Sequence, residues 1–163
     1  YASEFSDPAR VLATLDEALR DELETTEMYL TLFYGILDPG KEEIVYSNAG
    51  HPHAFLIRGD GEAERLEATD PPVGIAVDTD FHRRSVRWSP KEDVVLLFTD
   101  GLSDALAAVE RMGGEETVVD DVRRLRDRPP GAIVDALFER LARSTPAMPS
   151  DDRTAVVIEG PEA

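Results

Sequence analysis

Four aspartates in two short clusters carry most of the chemistry this sequence could do. Asp100 and Asp104 lie in Phe98-Thr99-Asp100-Gly101-Leu102-Ser103-Asp104, and Asp151 and Asp152 in Ser150-Asp151-Asp152-Arg153-Thr154. The first cluster follows the apolar run Val94-Val95-Leu96-Leu97-Phe98 and the second precedes Ala155-Val156-Val157-Ile158, so each is expected where a buried strand meets solvent. Oxygen-only ligand sets, in a chain without cysteine, suit hard cations such as Mg²⁺ or Mn²⁺, which prefer carboxylates, carbonyls and water. Taken singly, Asp100-Gly101 also reads as a turn after a strand, and Ser150-Asp151 as a loop or cap. His51 and His53 flank Pro52 in a hairpin connection, where a histidine is more often a hydrogen-bonding or surface group than a ligand. No convincing serine–histidine–acid or phosphate-loop pattern is present, and Gly59-Asp60-Gly61 reads as a tight turn.

The elements that must position these residues read as hairpins first and helices later. Asp7-Pro8 is a capping side chain followed by proline at the first helical position. Val11, Leu12, Leu15, Leu19 and Leu23 then recur as a helical stripe, with Asp16, Glu17, Asp21, Glu22 and Glu24 expected on the wet face. Strands are expected over Tyr29 to Leu37 and Ile44 to Asn48, joined by the turn Asp38-Pro39-Gly40-Lys41, and over Ala54 to Ile57. After the Asp70-Pro71-Pro72 loop come Phe81 to Trp88, with alternating character, and the buried strand Val94 to Phe98. Helical patterns surround Val118, Val119, Val122 and Leu125, and Ile133, Ala136, Leu137 and Leu141; the loop Ser144 to Ser150 feeds the last strand. This order predicts an α+β domain of layered sheets with helices outside, rather than βαβ alternation.

Composition narrows the function classes. At 163 residues, 42% hydrophobic and 31% charged, the chain is expected to form one globular domain with no need of a second. A formal charge of −17 argues against nucleic acid as a partner, because phosphate backbones are bound by cationic clusters. No apolar stretch reaches the length of a membrane span or has the form of a signal peptide, and a cytoplasmic protein is the expectation.

The order Met28-Tyr29-Leu30-Thr31-Leu32-Phe33-Tyr34-Gly35, Tyr46-Ser47-Asn48-Ala49-Gly50-His51-Pro52, Phe98-Thr99-Asp100-Gly101 and Ser150-Asp151-Asp152-Arg153-Thr154 resembles the SpoIIE/RsbU branch of the metal-dependent PPM protein serine/threonine phosphatases. The resemblance covers nearly the whole chain. It implies a two-layer antiparallel β-sandwich flanked by helices, over residues 1–163. It also implies Mg²⁺- or Mn²⁺-dependent hydrolysis of phosphoserine or phosphothreonine on a regulatory protein, with a phosphorylated STAS-type anti-sigma-factor antagonist as partner. The alternative is a non-catalytic phosphatase-like module that binds a regulator.

Carried over by position, the resemblance makes Asp100 and Asp151 ligands of a binuclear centre. It sets Asp104 where the family has an acidic residue associated with an additional metal. Asn48, Gly50, His51, Gly101 and Asp152 fall near the site. The nucleophile would be a metal-activated water, with no catalytic side chain attacking directly. The family's first motif, an aspartate followed by glycine–histidine–glycine, has no counterpart in residues 1–163. The expectation is therefore an N-terminally incomplete domain that lacks the opening strands, the first helix and the aspartate bridging both metals. Sheet surface left bare in this way favours a homodimer.

Overall fold

The computed structural model describes residues 7–76, 79–107, 113–144 and 151–161. Its elements are α1 (Pro8–Thr26), β1 (Leu32–Asp38), β2 (Glu43–Ala49), β3 (Ala54–Ile57), β4 (Ala63–Arg65), β5 (Arg84–Arg87), β6 (Val94–Phe98), α2 (Asp100–Ala107), α3 (Gly114–Leu125), α4 (Pro130–Ser144) and β7 (Ala155–Ile158). Among the described residues, two antiparallel sheets and four helices make an α+β fold, as expected. Cα proximity divides the chain into two compact units, Tyr1–Pro52 with Leu66–Ser89, and His53–Arg65 with Pro90–Ala163.

In the first unit β1 pairs with β2 and β2 with β5, all antiparallel. The turn between β1 and β2 forms because the Asp38 carboxylate accepts the amides of Gly40 and Lys41 at 3.0 and 3.1 Å. Helix α1 starts where Asp7 accepts the amide of Ala9 at 3.1 Å, one of the donors that a helix start leaves unsatisfied. Leu12 of α1 packs with Ala49, Val73 and Phe81 in this unit's core. Asp16 departs from its expected wet face: it is buried, pairs with Arg20 at 3.1 Å and accepts the Gly74 amide at 3.1 Å. A loop amide that needs an acceptor draws the carboxylate inward, a tertiary demand that helical spacing does not record.

In the second unit the sheet order is β4-β3-β6-β7, antiparallel throughout. Strand β6 is central and apolar, and Val94, Val95, Leu96 and Phe98 are buried. Phe55, Ile57, Leu96 and Phe98 from the sheet join Leu102, Leu106, Val118, Val122, Ile133, Leu137 and Leu141 from the helices in one core. Truncating a fully buried leucine such as Leu137 in such a core costs about 2–5 kcal/mol. Two elements went beyond the expected set. Ala63–Arg65 forms the short β4, and Asp100–Ala107 is a helix that begins directly at the end of β6.

Candidate functional site

The antiparallel pairing of β6 with β7 brings the two acidic motifs to one end of the second unit's sheet. The register ends at Phe98 opposite Ala155, so Thr99 leaves β6 beside the residues that lead into β7. Thr99 joins the two segments. Its amide donates to the Thr154 carbonyl at 3.1 Å, its hydroxyl donates to the Asp152 carbonyl at 3.0 Å, and that hydroxyl accepts the Thr154 amide at 2.9 Å. Gly101 completes the approach. A Cβ there would run into the Asp152 carbonyl and stand 3.2 Å from the Asp151 Cβ, so only glycine lets the α2 start lie against the Asp151-Asp152 segment.

The Asp100-Gly101 and Asp151-Asp152 segments thereby meet, although 51 positions separate Asp100 from Asp151 in sequence. Each is exposed, and each spends one oxygen on the next residue's amide: Gly101 to Asp100 at 2.9 Å, Asp152 to Asp151 at 2.7 Å. Among the described residues no cation pairs with Asp100, Asp104, Asp151 or Asp152. The adjacent Arg153 buries its Nε without a hydrogen-bond partner among them. Asp104 lies one turn along α2 from Asp100 and is exposed. Ser150 lies outside the described residues.

Hard oxygen donors with no compensating cation, gathered over a glycine that admits close backbone approach, fit a Mg²⁺ or Mn²⁺ ion. The fit covers the pair Asp100 and Asp151. Among the described residues, no three His, Cys, Asp or Glu side chains gather as a metal-holding group, and Asp104 does not make a third.

Asn48, Gly50 and His51 belong to the first unit, where they build a loop. The buried Asn48 side chain donates to the carbonyls of His51 and Leu66, both at 2.9 Å, and accepts the His51 amide at 2.8 Å. Gly50 has φ +72°, and a Cβ there would lie 2.6 Å from Pro72 Cγ, so both conformation and space call for glycine. Nearby, the Asp70 carboxylate accepts from the Thr69 hydroxyl (2.6 Å), the His82 amide (2.9 Å) and His82 Nδ1 (2.8 Å). The hydrogen bond and charge of Asp70 raise the His82 pKa above the ordinary imidazole value.

Three residues absent from the expected site, His53, Glu115 and Ser103 of α2, meet at this helix. His53 is buried, stacks on Phe98 at 4.5 Å, and places Nδ1 2.7 Å from Glu115 and Nε2 3.5 Å from the Ser103 hydroxyl. Ser103 donates to the Asp100 carbonyl at 3.0 Å. The sequence offered His53 only as one of two histidines beside a proline. Its link to Glu115 spans 62 positions, beyond the reach of any local pattern.

Comparison with known proteins places the chain in a family. The family model for Stage II sporulation protein E (SpoIIE) matches residues 1–161. Phosphoserine phosphatase RsbP of Bacillus subtilis is 34% identical over 104 residues, covering 62% of this chain and 26% of RsbP. The PP2C phosphatase domain of SpoIIE from Bacillus subtilis, solved with a fragment of its regulatory domain, superposes with a TM-score of 0.76 at 26% identity, over 94% of this chain and 45% of that one. The catalytic domain of the serine/threonine phosphatase PstP, in complex with two manganese ions, shares the fold with a TM-score of 0.62 at 17% identity, over 93% of this chain and 70% of that one. This chain thus spans about a quarter of RsbP and less than half of the solved SpoIIE chain. It belongs to the SpoIIE family, in the SpoIIE/RsbU branch of the PPM-type phosphatases.

Proposed function

We propose that residues 1–163 act as a SpoIIE/RsbU-like phosphatase domain, removing phosphate from phosphoserine or phosphothreonine on a regulatory protein with Mg²⁺ or Mn²⁺ bound. The observation that carries this reading is the meeting of the Asp100-Gly101 and Asp151-Asp152 segments at the joined ends of β6 and β7, with both Asp100 and Asp151 exposed and, among the described residues, no cation paired with either. Two manganese ions in the similarly folded PstP support it. The aspartates would hold the metal; Thr99 and Gly101 would fix their separation; Asp104, one turn away, would add negative charge that favours a further cation. Bound there, the metal would supply a water of lowered pKa and neutralise phosphate charge that bare carboxylates repel.

For substrate, a small phosphorylated STAS-type antagonist in the cytoplasm fits best. RsbP and RsbU, both phosphoserine phosphatases by name, support a phosphoprotein substrate. Among the described residues no helix is long and apolar enough to cross a membrane. A protein substrate needs only a shallow metal site and a docking surface that contributes most of the selectivity.

The test is turnover by the full native protein with Mn²⁺ on a phosphorylated antagonist and on a phosphopeptide cut from it. The expected result is metal-dependent release of phosphate, with kcat/KM at least about tenfold higher on the protein, worth about 1.4 kcal/mol of docking. Equal efficiency on the two would remove the dedicated partner. Partner binding without hydrolysis would instead identify a non-catalytic phosphatase-like module.

A further inference from the structure

The polar contacts behind α2 bear on how the metal ligand Asp100 is aimed, an inference that rests on the phosphatase reading above. We propose that His53, oriented by Glu115, is a positioning residue that holds the first turn of α2 through Ser103 and so fixes where Asp100 presents its carboxylate. The ring of His53 lies flat on Phe98, the last residue of β6, with 7° between the planes. The Glu115 carboxylate accepts from Nδ1 and so fixes the ring's orientation, which turns Nε2 toward the Ser103 hydroxyl. At 3.5 Å that contact is at the outer limit of a hydrogen bond, so its main effect is to bound the space open to the Ser103 hydroxyl. Confined there, the hydroxyl donates to the Asp100 carbonyl and ties the third residue after Asp100 back to it.

A second set of contacts closes on the same turn from α3. A Cβ at Gly114 would run into the Ser103 carbonyl, so glycine lets α3 begin against α2. The next residue, Glu115, delivers the carboxylate to His53 and also pairs with Arg65, whose guanidinium lies 4.6 Å over the Phe55 ring. One corner of α3 thus presses on Ser103 through its backbone and on His53 through its side chain. Serine, histidine and acid elsewhere make a nucleophile and its base. Here the Ser103 hydroxyl is buried and committed to a main-chain carbonyl, which leaves it to position and not to attack.

His53→Phe, which keeps a ring on Phe98 and removes both nitrogens, and Ser103→Ala test the inference in the full native protein. Amide hydrogen exchange without metal is read at Gly101 and Leu102, whose amides bond Asp100 and Thr99, and at Val95 and Leu96 of β6. Both variants are expected to speed exchange at Gly101 and Leu102 about tenfold while β6 stays unchanged. Mn²⁺ affinity by calorimetry should fall by about tenfold, as loss of a partner behind a metal ligand does, and kcat should fall while KM holds. Unchanged exchange at Gly101 and Leu102, or an equal rise across β6, overturns the positioning role. The exchange comparison needs neither metal nor turnover, so it decides this inference even if the wild-type protein releases no phosphate, the result that would sink the phosphatase reading.

Discussion

The carboxylates of Asp93 and Asp100 lie near opposite ends of β6 and live in opposite circumstances. Asp93, 6% exposed, accepts from Arg58 at 3.1 Å and from the Gly59 amide at 3.0 Å. Asp100 is exposed and, among the described residues, its carboxylate holds only the Gly101 amide and pairs with no cation, while the next residue, Gly101, lies against Asp151. Asp70 repeats the first pattern in the other unit, with three donors on a side chain 4% exposed. A buried carboxylate must be satisfied, because an unpaired one costs several kcal/mol. One that keeps its oxygens free, next to another of like charge, is poorly placed for stability and well placed for a cation. In a chain of formal charge −17 it is therefore the unspent acids, not the abundance of acid, that single out the candidate site.

The largest effect should come from Asp100→Asn in the full native protein. Replacing the charge of a proposed ligand at constant shape is expected to lower turnover on a phosphoserine protein by at least about a thousandfold, or about 4 kcal/mol, with the unfolding midpoint moving by no more than about 2 °C. Wild-type turnover would show that Asp100 is not a ligand. Asp93→Asn should do the reverse: a loss of about 1–3 kcal/mol in chemical unfolding, since a charge-assisted pair to Arg58 is weakened, with kcat per folded molecule kept. If Asp93→Asn abolishes activity at unchanged stability, the division between spent and unspent acids fails.

Thr99→Val lies between these extremes, because Thr99 serves the site through structure. Loss of the hydroxyl's two bonds should cost about 1–2 kcal/mol and weaken Mn²⁺ binding by about tenfold. Unchanged Mn²⁺ affinity by calorimetry would mean that backbone contacts, the pairing of Phe98 with Ala155 and the Thr99 amide on the Thr154 carbonyl, suffice to hold the motifs together.

The smallest effect concerns the saturated carboxylate of Asp70. Because His82 has a raised pKa in the folded protein, its contribution to stability is fully present below the unfolded value of roughly 6.5 and is lost as pH rises through the folded value. The unfolding midpoint of wild type relative to His82→Gln should thus decline between about pH 6 and pH 9, modestly because the ring is largely exposed. A difference that grows with rising pH would contradict the assignment.

Much of the scaffold was legible beforehand because it rests on short-range rules. The Asp7-Pro8 start, the Asp38 turn, and the strands Ala54–Ile57, Val94–Phe98 and Ala155–Ile158 each follow from side chains within a few residues. Helix α2 was not legible, since Asp100-Gly101 has the composition of a turn and the helix is eight residues long. Asp16 was misplaced because its partner, the Gly74 amide, lies 58 positions away. The candidate acids could be read as motifs, and the contacts that Thr99, Ser103 and Glu115 make around them could not.

By itself the sequence determined which atoms this protein can offer a ligand: carboxylate oxygens, no thiolates, and a surplus of negative charge, because side-chain chemistry is fixed by residue type. It also determined where strands give way to polar residues, through hydrophobic runs that must be buried. Only the tertiary structure decided that the Asp100-Gly101 and Asp151-Asp152 segments meet, that Asp93 and Asp70 are consumed, and that His53 stands against α2. Strand register and helix packing are set by the joint burial of residues far apart in the chain, and a carboxylate's availability depends on which donors that burial brings to it.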